Sequence, residues 1–366
     1  MKNNDIEYKI KNTPVLMKPY FFSIPSISAV SIKILILLGI QILLLIFTKS
    51  YSALFVILSS TLGATIAALI NYAFQKVQPF TIMTVMIQGV LIGMLLPETY
   101  PPVTVFFIAF TILVIEKYLF VNCVNSWINV VCVAVIIAYF IGQSFFPGFI
   151  VTNDLFPVKN ASLYLIQNGS FPTYSFDSSV TEFLNNSIFN WVKVTLPNGF
   201  VSFLWDTHSL IPAFRFNIVT ILSSIVLFCD GGISPLIPGI FIGVYAVLVR
   251  LFFPALNGGL LNTGDIILAI GTSGTIFCSV FLLQWFGTHP ITLTGKILFA
   301  VISGIIAFLI VGCGTSPIGM IYTIVISNIL NLLIRVVEEK NNVLRLSKLV
   351  NTELFAERET QNKDNE

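Results

Sequence analysis

Few residues in this chain have side chains suited to chemistry, and the richest run of them is Asp177-Ser-Ser-Val-Thr-Glu-Phe-Leu-Asn-Asn. It sets three hydroxyls, on Ser178, Ser179 and Thr181, between the carboxylates of Asp177 and Glu182. Such groups serve first as caps. In Ser179-Val-Thr-Glu182 the serine oxygen accepts from the amide of Glu182 while the glutamate reaches back to the amide of Ser179, which predicts a helix starting there. Downstream, Val180, Phe183, Leu184, Ile188, Trp191 and Val192 recur at helical spacing, with Asn185, Asn186 and Asn190 opposite. This reads as an amphipathic helix lying on a membrane surface or against other spans. No nucleophile stands with a base, and the five cysteines (123, 132, 229, 278 and 313) show neither a CxxC nor a histidine cluster. Metal binding and catalysis by this chain alone are therefore not expected, and the cysteines read as small packing residues.

The elements that must position this run are set by composition. With 56% hydrophobic and 10% charged residues and a mean hydropathy of +0.91, the chain reads as an integral membrane protein. A net charge of +2, spread along the ends of the chain, gives no face for nucleic acid. Apolar runs fall at 27–48, 51–74, 81–96, 103–119 and 126–146, then at 214–230, 234–254, 264–286, 296–312 and 317–337. Most approach the roughly 20 residues a spanning helix needs. The expected organisation is an N-terminal segment over 1–26, five spans over 27–146, a long segment over 147–213, five spans over 214–337 and a tail over 338–366. The polar stretch before the first run is too long for a cleaved signal, so that run is expected to be retained.

Lysines and arginines such as Lys18, Lys76, Lys117, Lys296, Arg335 and Lys340 fall on one side if the spans alternate, which predicts both termini in the cytoplasm and 147–213 outside. The two sets of five spans also resemble each other. Pro102-Val-Thr104 matches Pro290-Ile-Thr292, and VNCVNSWIN at 121–129 aligns with VGCGTSPIG at 311–319. An odd number of spans per half makes this an inverted repeat, which sets the matched Cys123 and Cys313 on opposite sides.

Ionisable residues are almost absent from the spans: Glu116, Asp230 and Asp265 sit near predicted span ends, and Lys33 can snorkel. A carboxylate relay is therefore not expected. Small residues recur at Ser59–Thr65, Gly89–Gly93 and Gly271–Thr275, spacings that admit close helix packing or a flat ligand.

These features resemble the RnfD/NqrB family, whose members are membrane components of the Rnf ion-translocating electron transport complex and of the Na+-translocating NADH:quinone oxidoreductase. The resemblance is carried by FGTHPITLTGKILFAVISGIIAFLI and SPIGMIYTIVISNILNLLIR, the latter with Asn328 downstream. Two departures stand out: His289 where the family has Asp, and Asn125-Ser126-Trp127 where it tends to Asn-Pro-Ala.

The resemblance implies an all-α polytopic bundle of about ten transmembrane helices in the inner membrane of a bacterium, working with other membrane and peripheral subunits and coupling redox steps to Na+ or H+ movement. It also implies covalent flavin mononucleotide joined through its phosphate to Thr181, with Ser178 and Ser179 beside it, and it admits a second, noncovalent flavin. Val180 and Glu182 replace the family's Ala and Pro at this stretch, and Asp177 stands four residues before the threonine rather than six. The first turn of a helix favours a phosphate, whereas Glu182 opposes one. Alternatives are a flavin-free structural subunit and a non-redox channel or transporter of urea-transporter-like fold.

Overall fold

The computed structural model describes residues 26–75, 80–120, 126–148, 155, 158, 160–312 and 316–363. The matched cysteines Cys123 and Cys313, Asn125 and most of the N-terminal segment lie outside these residues. Every described element is helical, as expected of a polytopic membrane protein. The first half comprises α1 (Ile27–Phe47), α2 (Tyr51–Gln75), α3 (Phe80–Leu95), α4 (Pro102–Phe120) and α5 (Val130–Ile141). The second comprises α10 (Asn217–Cys229), α11 (Leu236–Leu256), α12 (Ile266–Thr272), α13 (Thr275–Phe281), α14 (Leu293–Val311) and α15 (Gly319–Lys363). Five of these are long and apolar enough to cross a membrane, over Ile27–Phe47, Tyr51–Phe74, Leu236–Leu256, Leu293–Val311 and Gly319–Leu344.

The two halves use the same packing partners. In the first, α2 packs on α3 and α4, α1 on α3, and α5 on α3 and α4. In the second, α11 packs on the broken pair α12–α13 and on α14, α10 on α13, and α15 on α13 and α14. The pair α12–α13 stands where one span was expected over 264–286. The break falls at Gly274, whose φ of +68° suits glycine, and a Cβ there would lie 2.0 Å from the ring of Phe214.

Glycine also sets the helix contacts. A Cβ on Gly63 would meet the carbonyl of Phe106 at 2.7 Å, one on Gly89 would meet Ala64 at 2.5 Å, and one on Gly93 would meet Ser60 Oγ at 2.3 Å. The small-residue stretches therefore bring α2, α3 and α4 together. At Gly271 and Gly274 the space is filled by the chain's own Phe203 and Phe214 rings.

Caps and a few polar pairs tie the halves together. Asn129 accepts from Val131 N at 3.0 Å to start α5, and its amide donates to Leu282 O at 3.0 Å, across the two halves. Lys33 pairs with Asp230 at the end of α10 instead of extending freely to an interface. Glu116 lies near the end of α4, as expected, and is buried there, accepting from Gln88 Nε2 at 2.9 Å. Thr292 caps α14 by accepting from Gly295 N at 3.1 Å, and Glu338 of α15 accepts from the amides of Ile291 and Thr292.

Candidate functional site

Between the halves lies a lobe that contains α6 (Ala161–Gln167), α7 (Asp177–Leu184), a five-residue π turn (Asn185–Phe189) leading into the short α8 (Asn190–Val192), and α9 (Phe200–Trp205). It is tied to one end of the bundle at several points. Asp265, which caps α12 through Leu268 N at 3.0 Å, also accepts from the amide of Ser162 at 2.7 Å. Glu98 N donates to Leu210 O at 2.9 Å. Arg215 grips both carboxylate oxygens of Asp206, at 3.0 and 2.7 Å, and reaches Ser50, just before α2, at 2.6 Å. Burial pushes the Asp206 carboxyl up, but the Arg215 guanidinium outweighs it and holds the group below its usual range.

The polar run at 177–186 forms α7 and the start of the π turn, but the expected cap is absent. The helix begins at Asp177, two residues before Ser179, with Phe176 at the N-cap and no side-chain capping bond. What fixes the start is a contact distant in sequence. The buried Asp177 carboxylate accepts from Gly199 N at 2.6 Å, Ser202 N at 2.7 Å and Ser202 Oγ at 2.6 Å. Thr181, one turn along, adds its hydroxyl to the same carboxylate at 3.3 Å. Gly199 has φ +98°, and a Cβ on it would lie 2.3 Å from Ile166. The backbone can thus pass close enough to aim its amide at Asp177. Burial pushes the Asp177 carboxyl up, while the bonds from Ser202, Gly199 and Thr181 more than offset it and leave it below the ordinary carboxylate range.

Sequence spacing alone could not reveal this clasp, because its donors lie 22 and 25 residues away. The signal was present only in part, as a glycine and a serine three residues apart before an apolar stretch.

The structure separates the candidate cofactor residues. Ser178 and Ser179 are exposed, whereas Thr181 is 1% exposed, next to an Asp177 that is 3% exposed. A phosphoester on Thr181 Oγ1 would set a second anion against that carboxylate in a space already filled. In this arrangement Thr181 does not fit a flavin phosphoester. Nearby, Tyr174 stacks on Phe176 (5.3 Å between centroids) and on His208 (5.7 Å), with its hydroxyl 3.3 Å from Asp206. His289 is partly buried between α13 and α14, and burial pushes its pKa below the ordinary histidine value. Among the described residues no group of histidine, cysteine and carboxylate side chains could hold a metal.

A family model described as the NQR2, RnfD, RnfE family matches residues 15–343. A comparison with curated proteins finds no match. The family match covers most of the chain and is consistent with an all-helical polytopic membrane protein. This chain accordingly belongs to the NQR2, RnfD, RnfE family and is a membrane subunit of an Rnf/Nqr-type ion-translocating complex.

Proposed function

We propose that this chain serves its complex as a membrane-embedded subunit whose lobe is held shut by Asp177, at the place where the resembling family carries its flavin, and that Thr181 of the closed lobe carries none. The carrying observation is the buried bond from Thr181 Oγ1 to Asp177 Oδ1 at 3.3 Å. In this reading partner subunits carry the electrons, and this chain supplies the bundle against which they and the ion path assemble. The lobe then faces the outside of a bacterial inner membrane, with both termini in the cytoplasm.

A second reading keeps the flavin, and the supporting observation is that a hydroxyl stands at the matching position with exposed Ser178 and Ser179 beside it. Flavin mononucleotide would then be held on Thr181, and the subunit would pass electrons between its partners while Na+ or H+ is moved. That requires Thr181 to turn out of the clasp. Under either reading the fold contributes spans and not a catalytic centre of its own.

The test is in-gel flavin fluorescence of the full chain co-expressed with a flavin transferase, beside Thr181→Val. A dark band supports the closed-lobe reading, and a fluorescent band that the substitution abolishes supports the flavin-carrying one. Solute flux through the chain reconstituted alone would contradict both and indicate a channel.

A further inference from the structure

The helix α7, with the π turn and α8 after it, presents a large apolar ridge outward, flanked by the exposed Ser178, Ser179, Glu182, Asn186, Ser187 and Asn190. Three of its polar residues face the protein instead. Asp177 and Thr181 point inward, and Asn185, one turn further, exchanges two bonds with Leu196, donating from Nδ2 at 3.0 Å and accepting at Oδ1 at 2.7 Å. The apolar residues face away: Phe183 is 65% exposed, Ile188 58% and Trp191 91%, with Val180 and Phe176 also exposed. The π turn contributes to this, because its wider turn rotates Ile188 and Trp191 onto the side of Val180 and Phe183.

A row of large apolar side chains this exposed needs a covering medium. Its chemistry favours lipid over protein. The strip is a ridge of one valine, one isoleucine and aromatic side chains, ending in Trp191 with Lys193 two residues on, the composition of a segment seated at the boundary between head groups and acyl chains. The end of the bundle that holds the lobe exposes further apolar residues. The lobe is bonded to the same end of the bundle as Leu256, Leu260 and Leu261, all exposed on the turn before Asp265, and as Phe140 and Ile141 at the end of α5.

We infer that the strip formed by Val180, Phe183, Ile188 and Trp191 is a membrane anchor, which seats α7 and α8 in the leaflet on the lobe's side and leaves Asp177, Thr181 and Asn185 to clasp the lobe from within. The anchor is independent of whether Thr181 carries flavin.

The test places the full chain in nanodiscs of phosphatidylcholine and phosphatidylglycerol and compares it with Trp191→Phe. The chain has four tryptophans, so the difference between the two proteins isolates Trp191. Phosphatidylcholine brominated high on its acyl chains should remove most of the Trp191 emission, and aqueous iodide should leave it nearly unchanged. Iodide quenching without quenching by the brominated lipid would overturn the anchor. So would protection from iodide that appears only when partner subunits are bound, which would make the strip a protein interface.

Discussion

Thr181 Oγ1 lies 3.3 Å from Asp177 Oδ1, one helical turn away, and both side chains are buried. The hydroxyl that resemblance would assign to a cofactor is therefore engaged in holding its own lobe together, through a carboxylate that also gathers Gly199 and Ser202. The two roles compete for one oxygen.

The clasp should contribute far more than the threonine alone. Asp177→Ala leaves two amides and two hydroxyls without an acceptor in a buried place, a loss of about 1–3 kcal/mol for each group left unpaired. Thr181→Val removes one long bond and should cost about 1 kcal/mol or less. Limited proteolysis of the lobe in detergent checks this: Asp177→Ala should open it to cleavage, and Thr181→Val should leave it nearly as resistant as the unsubstituted chain.

Acid should loosen the lobe at a predictable point. The Asp177 carboxyl titrates lower in the folded lobe than in the unfolded chain, so ionisation favours folding. Its contribution is complete above the unfolded value of about 3.9 and is lost as pH falls through the lower folded value. Asp206 acts in the same direction. Hydrogen exchange over residues 174–205, taken relative to the intrinsic amide rate at each pH, should be flat from neutrality down to about pH 5 and rise steeply below about pH 4. In Asp177→Asn the Asp177 part of that rise should be missing.

The pair of Asp206 and Arg215 should be the firmest tie between lobe and bundle. Its partners are 0% and 10% exposed, so removing one leaves an uncompensated buried charge. Asp206→Ala should cost about 3–5 kcal/mol, and adding Arg215→Met should recover part of that loss. Thermal unfolding of the two variants in one detergent measures the coupling.

Glycine tolerance should divide by contact. Gly93→Ala forces a Cβ to 2.3 Å from Ser60 Oγ and 2.6 Å from Ile57 Cα, and should cost about 1–3 kcal/mol. Gly39→Ala, Gly239→Ala and Gly243→Ala meet nothing within 4 Å and should be neutral or mildly stabilising, because alanine is the better helix former. The midpoint temperatures of these four variants test the close approach of α2 and α3.

The bundle was legible because runs of apolar residues report membrane helices directly, whatever packs against them. The break between α12 and α13 was visible only as Gly271-Thr-Ser-Gly274, since what imposes it is the approach of Phe203 and Phe214 from elsewhere in the chain. The same limit explains the failed capping box. Ser179 and Glu182 satisfy a local rule, but Asp177 is held by Gly199 and Ser202, and that tertiary contact starts the helix two residues earlier. Glu116 lies near a span end as its position in the run predicts, but its burial against Gln88 of α3 depends on a partner the run does not show. Asp206 and Arg215 gave no signal beyond being polar residues before an apolar run.

Intact mass spectrometry tests the closed lobe most directly, on the full chain purified after co-expression with a flavin transferase. A lobe held shut by Asp177 predicts the unmodified mass, both for this chain and for Thr181→Val. A mass raised by one flavin mononucleotide residue in the unsubstituted chain, and lost in Thr181→Val, would contradict it.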